Sequence, residues 1–180
     1  MSVGEIADDV EWLYHVTTYG RLESIAEDGL RKGLARAIGA PSYDSHAARG
    51  IFLTEVDGVF FWMSKAEDHA ESGSDKPYED GLLPVVLRTA VDWLEFEDLI
   101  DDNIGTNDAL ANAWIYPGNI EPGSIELWNG EEWVTIDEWE TVDPEEGFGE
   151  EESEEDDPDM TWRHFVDLMQ SPFLPPEAKP

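Results

Sequence analysis

Leu13-Tyr14-His15-Val16-Thr17-Thr18, followed by Leu22-Glu23-Ser24-Ile25-Ala26-Glu27-Asp28-Gly29-Leu30, decides how this chain is read. A short apolar strand ends on an aromatic-His-x-Thr tetrad, and an amphipathic helix then closes on Gly-Leu. Side chains alternate along a strand, so His15 and the Thr17 hydroxyl share one side of the pleat. Thr17 or Thr18 is the expected N-cap of the helix. Leu22, Ile25 and Ala26 fall on its buried face, and Gly29 suits a left-handed stop.

Working outward, residues 33–50 are polar and rich in Gly, Ala and Ser, as in a loop. Gly50-Ile51-Phe52-Leu53-Thr54 reads as a short buried strand, and 57–70 as a second helix through Val59, Phe60, Trp62, Met63 and Ala66. After a loop over 71–81, the apolar run 82–88 has the character of a sheet centre. Residues 93–100 alternate apolar and acidic, compatible with a strand or a short helix. A strand follows at 113–116, stopped by Pro117-Gly118. Ile125-Glu126-Leu127-Trp128, Asn129-Gly130 and Trp133-Val134-Thr135-Ile136 spell a hairpin. These elements make an α+β domain over residues 1–140. Residues 141–160 are an acidic, low-complexity linker expected to be disordered. Residues 161–180 hold a short amphipathic helix (Trp162, Phe165, Val166, Met169) and a Pro-rich end, expected to dock on the body or on a partner protein.

The charge is extreme, with 43 acidic residues against 10 basic and a formal net charge of −33. The linker does not account for it, because residues 1–140 alone carry 30 acids and 8 bases. A carboxylate-covered surface suits concentrated salt, where repulsion is screened within about 3 Å. It also suits imitation of a nucleic-acid backbone toward a basic partner. Binding of nucleic acid through such a surface is disfavoured, since phosphate neutralisation dominates that affinity. Half of the bases (Arg21, Arg31, Lys32, Arg36 and Arg49) fall within 29 residues just after the His15 tetrad. Either they line a pocket for a small anion, or they complement the end of a helix.

Several site classes are excluded. There is no cysteine, hence no disulfide and no thiolate chemistry. His15, His46, His69 and His164 are too scattered for a metal motif, and no metal is expected. No phosphate-binding Gly-rich loop, Gly-x-Ser-x-Gly elbow or twelve-residue calcium loop occurs. No apolar run approaches the roughly 20 residues of a membrane span, and the acidic start lacks the cationic region of a secretory signal. A cytoplasmic protein without membrane contact is expected.

The order Tyr14-His15-x-Thr17, a helix ending Gly29-Leu30, a loop, Gly50-Ile51-Phe52-Leu53-Thr54, then Ser64-Lys65-Ala66 with Ala70, resembles the ADP-ribosyltransferase superfamily. It is similar to the core of poly(ADP-ribose) polymerases and of tRNA 2'-phosphotransferases. Leu83-Pro84-Val85-Val86-Leu87 and Ile120-Glu121-Pro122-Gly123-Ser124-Ile125 continue the likeness, which spans roughly residues 12–127. The resemblance implies an ADP-ribosyltransferase-like split mixed or antiparallel sheet with helices near its N-terminus. It also implies NAD as the bound substrate. His15 would hold a ribose hydroxyl, the Val16 main chain would pair with the nicotinamide amide, and Thr17 would support both. Arg21, Arg31 or Arg49 would face the pyrophosphate, Phe52 would lie on the neighbouring strand, and His69 would take the place of a nicotinamide-stacking Tyr.

Two departures stand out. Val16 replaces a Gly that is usual in the family. Where many members carry a catalytic Glu, this chain has Asn112 or Ala113, which resembles the His, His, hydrophobic set of the phosphotransferase branch. His15, His69 and Asn112 are thus the implied catalytic residues. The chain starts at the His strand, without the phosphotransferases' N-terminal domain, and offers no basic surface, so tRNA is not the expected acceptor. The implied function is an NAD-dependent ADP-ribosyl or 2'-phospho transferase acting on a macromolecular acceptor, protein or nucleic acid. The alternatives are a degenerate NAD or ADP-ribose reader and an acidic inhibitor that imitates nucleic acid.

Salt adaptation has a direct consequence. The thermal midpoint should rise by about 10 °C between dilute buffer and molar potassium chloride, equivalent to about 3 kcal/mol. A midpoint independent of salt would remove that explanation of the charge.

Overall fold

The computed structural model describes residues 6, 8–32, 50–73, 81–95, 100–101, 113–142 and 171–173. Seven strands form one sheet in the order β4-β5-β2-β1-β3-β6-β7, and every pairing is antiparallel. They are β1 (Trp12–Thr18), β2 (Ile51–Thr54), β3 (Pro84–Ala90), β4 (Ile100–Asp101), β5 (Ala113–Tyr116), β6 (Glu126–Trp128) and β7 (Trp133–Thr135). Among the described residues two α-helices complete the α+β domain: α1 (Leu22–Asp28) and α2 (Val56–Gly73).

The strand with the His-x-Thr signature sits at the middle of the sheet. On one side all seven of its residues pair with β3, from Trp12↔Ala90 to Thr18↔Pro84. On the other side only Tyr14↔Thr54 joins it to β2. The sheet is therefore two ladders, β4-β5-β2 and β1-β3-β6-β7, hinged at one residue pair. Cross-strand partners share a face. Leu13, His15 and Thr17 lie with Leu53, Trp114, Val85, Leu87, Thr89 and Leu127, whereas Tyr14, Val16, Phe52, Thr54, Val86, Arg88 and Glu126 face the other way.

Helix α2 covers the Tyr14 face. Gly58 in its first turn lies so close to the Thr54 side chain that a Cβ there would collide with the hydroxyl. The Ser171–Phe173 turn touches both α2 and, through Phe173, the Tyr14 ring (centroids 5.5 Å apart). The His15 face is covered by Leu22 and Ile25 of α1 together with Leu30, Ile120, Ile125 and Ile136, all in one buried cluster. Gly29 makes this closure possible. At φ 77°, ψ −170° it occupies a region restricted to Gly, and a Cβ would strike the Ile120 carbonyl. Leu30 and Ile120 then exchange two backbone hydrogen bonds, at 2.9 and 3.0 Å.

Some local expectations are corrected. Thr17 and Thr18 do not cap α1; both are buried strand residues, and a 3-10 turn (Tyr19–Arg21) precedes the helix, with Arg21 at its N-cap. The reason is tertiary: Tyr19 N–H is drawn to Leu83 O and so prolongs the β1–β3 ladder. Val91–Trp93 is a 3-10 turn, with β4 beginning at Ile100. The hairpin pairs Trp128 with Trp133, so its loop has four residues. The Asn129 carboxamide oxygen satisfies the Glu131 and Glu132 amides there, and Gly130 takes φ 101°. The domain continues slightly past residue 140, because Val142 is buried in the core. The linker from 143, the helix expected over 161–170 and the loop over 33–49 lie outside the described residues. Phe173, by contrast, packs on Tyr14 and Trp133, a docking of the C-terminal segment onto its own body.

One buried polar assembly organises the Tyr14 face. The Arg88 guanidinium lies between the Trp12 and Trp133 rings, 3.8 and 4.2 Å from their centroids, with Nε and Nη2 both 2.6 Å from Glu126 Oε2. Both charged side chains are mostly shielded from water, which makes the pair costly to halve. Arg88→Ala should lower stability by about 3 kcal/mol in urea titrations at fixed salt. Loss below about 1 kcal/mol would show the box to be decoration.

Candidate functional site at the seam between two ladders

The alternation along β1 determines what the seam exposes. Tyr19 N–H bonds Leu83 O, so residues 13, 15 and 17 direct their main-chain groups to β3, and residues 14, 16 and 18 direct theirs to β2. Tyr14 finds Thr54 there. Continuing that register would set Val16 against Phe52, but no such pair forms. The Phe52 carbonyl instead accepts a hydrogen bond from the side chain of His15, at 2.8 Å from Nδ1. A carbonyl only accepts, so Nδ1 carries the proton and neutral His15 presents Nε2 as an acceptor. Among the described residues the Val16 main chain has no strand partner on the β2 side. An N–H and a C=O side by side form a self-contained pairing edge for an amide.

Burial sets the charge of the ring. His15 is packed among Leu13, Leu30, Leu53, Leu87 and Ile125. Desolvation pushes its pKa below the ordinary histidine value, the bond to Phe52 opposes this, and the Arg21 guanidinium lowers it further. Neutral imidazole is therefore the working form at neutral pH. The gap beside the ring is too narrow to hold a water molecule. Thr89 Oγ1 is also buried in this layer, and no hydrogen-bond partner reaches it. Accessible chemistry thus lies along the seam edge rather than in a cavity under the ring.

The expected site residues separate as follows. His15, Val16, Thr17 and Phe52 come together: Thr17 is buried on the His15 face, and Phe52 contributes its carbonyl while its half-buried ring faces the other way. Arg21 is exposed at the turn after β1 and close enough to act electrostatically on His15. His69 is not part of this group. It is exposed near the C-terminal end of α2, the helix on the Tyr14 face, so the sheet separates it from the His15 ring. Arg31 is engaged elsewhere, in a two-pronged pair with Glu121 at 2.9 and 3.4 Å. Arg49 and Asn112 lie outside the described residues, as do Arg36, His46 and His164.

One group escaped the sequence reading. Glu55, immediately after β2, accepts a hydrogen bond from Trp114 Nε1 at 3.3 Å. Desolvation raises its pKa above the ordinary carboxyl value, Trp114 opposes the rise, and Asp57 and Asp9 add to it. In a chain with 43 acids nothing local marks this one. Its significance depends on the register that brings Trp114 beside it.

Among the described residues no group of three His, Cys, Asp or Glu side chains is arranged to hold a metal ion, and no helix is long and apolar enough to cross a membrane. No protein-family model, curated protein or solved structure matches the chain.

The His15 environment makes a pH prediction. Its folded pKa is depressed, so as pH falls below about 6.5 the unfolded chain takes up the proton first and stability declines. His15→Gln keeps a donor for Phe52 but cannot titrate. The difference in unfolding free energy between wild type and His15→Gln should be constant above that pH and shift against wild type below it. A pH-independent difference would mean that the ring is not held neutral by burial.

Proposed function

We propose that the chain is an NAD-dependent ADP-ribosyltransferase whose dinucleotide binds along the seam between β1 and β2. The observation that carries this reading is the single residue pair joining β1 to β2, beside which the His15 side chain bonds the Phe52 carbonyl. The Val16 N–H and C=O match the two-point edge of a primary carboxamide, as in nicotinamide. His15 Nε2 is an acceptor for a ribose hydroxyl, and Arg21 is the exposed cation suited to the pyrophosphate. The resemblance of Tyr14-His15-x-Thr17 and Gly50-Ile51-Phe52 to the superfamily supports the same placement, on the two strands that meet at the seam. A split sheet of the ADP-ribosyltransferase kind belongs to this proposal.

The reaction balances without a resident cofactor. The bond between ribose C1' and the nicotinamide nitrogen breaks, and its electron pair leaves with nicotinamide, which becomes neutral. The positive ribosyl centre is captured by an acceptor nucleophile, which releases a proton. The protein's part is to hold both ends of the dinucleotide so that the glycosidic bond is exposed and strained, and to surround the growing charge. A macromolecular acceptor and a cytoplasmic setting belong to the same reading. So does salt adaptation as the origin of the charge. A second reading, a reader that binds NAD or ADP-ribose without cleaving it, draws on one feature: β5 begins with Ala113, which carries no acid.

Titration of NAD by calorimetry in molar salt, with nicotinamide release measured in the same samples, tests both. Binding with release, each reduced at least about tenfold by His15→Ala, is the expected result. Binding without release would favour the reader. No binding would overturn the NAD assignment and leave the acidic inhibitor as the surviving reading.

A further inference from the structure

We propose that the corner built by the Trp12 and Trp93 rings, at one end of the Tyr14 face, is a docking surface for an arginine-rich segment of a partner protein. It uses neither His15 nor the β1–β2 seam, so it stands apart from the NAD reading.

The corner follows from how two strands end. Trp12 opens β1 opposite Ala90, the last residue of β3, and the chain then turns through Val91–Trp93. The Val91 N–H donates to the Glu11 carbonyl at 3.0 Å, which fixes that turn against the start of β1. Trp93 thereby meets Trp12 edge to face, with centroids 5.7 Å apart and planes at 90°. Two indoles at a right angle make two walls of an aromatic cage, an arrangement that takes cations. Trp93 is 49% exposed and Trp12 is half-buried, so the corner is open to water.

The same face already holds one cation by this chemistry. The Arg88 guanidinium lies 3.8 Å from the Trp12 centroid and 4.2 Å from that of Trp133, with Glu126 accepting its hydrogen bonds. Trp12 is therefore shared between the filled box and the open corner. The corner offers the same two kinds of group: indole rings, and the exposed carboxylates of Glu11, Asp92 and Glu95, which flank them in the chain. A planar guanidinium can stack on an indole while its edge donates to a carboxylate, which an ammonium cannot do as well.

Charge selects among occupants. No Lys or Arg occurs in residues 1–20 or 89–162, so the segments that build the corner bring no cation of their own. A net charge of −33 repels a second copy of the chain. It also repels the phosphates of a nucleic acid, whose bases could otherwise stack on the rings. A neutral sugar would gain stacking and nothing from the carboxylates. An arginine-rich segment gains both.

The full chain is titrated with oligoarginine and with oligolysine of equal length, in molar potassium chloride. Long-range attraction between any polycation and this protein is then screened within about 3 Å, leaving contact interactions. The expected result is tighter binding of oligoarginine than of oligolysine, weakened about tenfold by Trp93→Ala. Glu23→Gln, at an exposed position of α1, should leave the affinity unchanged. Trp93→Phe keeps a ring against Trp12 with a weaker π face and should bind with intermediate affinity; it decides the matter if Trp93→Ala loses its thermal transition. Equal binding of the two peptides, or wild-type affinity in the Trp93 variants, would reduce the effect to diffuse charge and overturn the proposal. So would the absence of oligoarginine binding to wild type. Binding of a neutral oligosaccharide that is lost in Trp93→Ala, with peptide binding unaffected, would reassign the corner to sugar and overturn it as well.

Discussion

The hydrogen bond from His15 Nδ1 to the Phe52 carbonyl is the interaction on which the centre of this molecule depends. β1 is zipped to β3 along its whole length and meets β2 at one residue pair. Where the next rung would form, a side chain substitutes for backbone. Such a bond contributes about 1 kcal/mol net, which is small for a fold but large for the orientation of one ring. It fixes the tautomer of His15 and ties β1 to the Phe52 carbonyl where, among the described residues, Val16 has no strand partner on the β2 side. The geometry of the candidate site follows from that single substitution.

The two ladders are held by different means. β4-β5-β2 is bound through the continuous register of β2 with β5, and α2 spans the seam on the Tyr14 face. The β1-β3-β6-β7 ladder carries the Arg88 box, in which two tryptophan rings and a carboxylate share one guanidinium. Phe173 reaches back to the same surface through Tyr14 and Trp133. Arg88 is thus spent on structure in a chain with ten basic residues, and Arg31 is spent on the joint between α1 and the Ile120 segment. Of the cations clustered after the His15 tetrad, Arg21 and Lys32 are described and exposed, and Arg21 is the one that acts electrostatically on His15.

Legibility differed by the range of the interaction involved. His15 and Thr17 were readable because a two-residue period places them on one face whatever surrounds the strand. The apolar run before and after Val86 announced a central strand, and the helix over Leu22–Asp28 followed from its 3.6-residue spacing and its Gly stop. The cap was misread because the ladder with β3 claims Thr17 and Thr18, a long-range effect that outweighs a local preference. His69 was misplaced by motif spacing: α2 starts at Val56, directly after β2, and carries His69 far along the helix and to the other side of the sheet. Glu55 was invisible for a different reason. One carboxylate among 43 gains meaning only from Trp114, 59 residues away in sequence.

By itself, then, the sequence determined an α+β domain with a His-bearing strand, an acidic composition and no thiol or metal motif. Local periodicity and composition are sufficient for such statements, since each depends on residues within a turn or a strand of one another. The tertiary structure alone decided that the sheet parts between β1 and β2, that Arg31 and Arg88 are committed to ion pairs, and that the Trp114 indole reaches Glu55. Those outcomes depend on register between strands far apart in sequence. A shift of one residue would exchange the two faces of the sheet, and no local pattern specifies which pair of residues becomes the hinge.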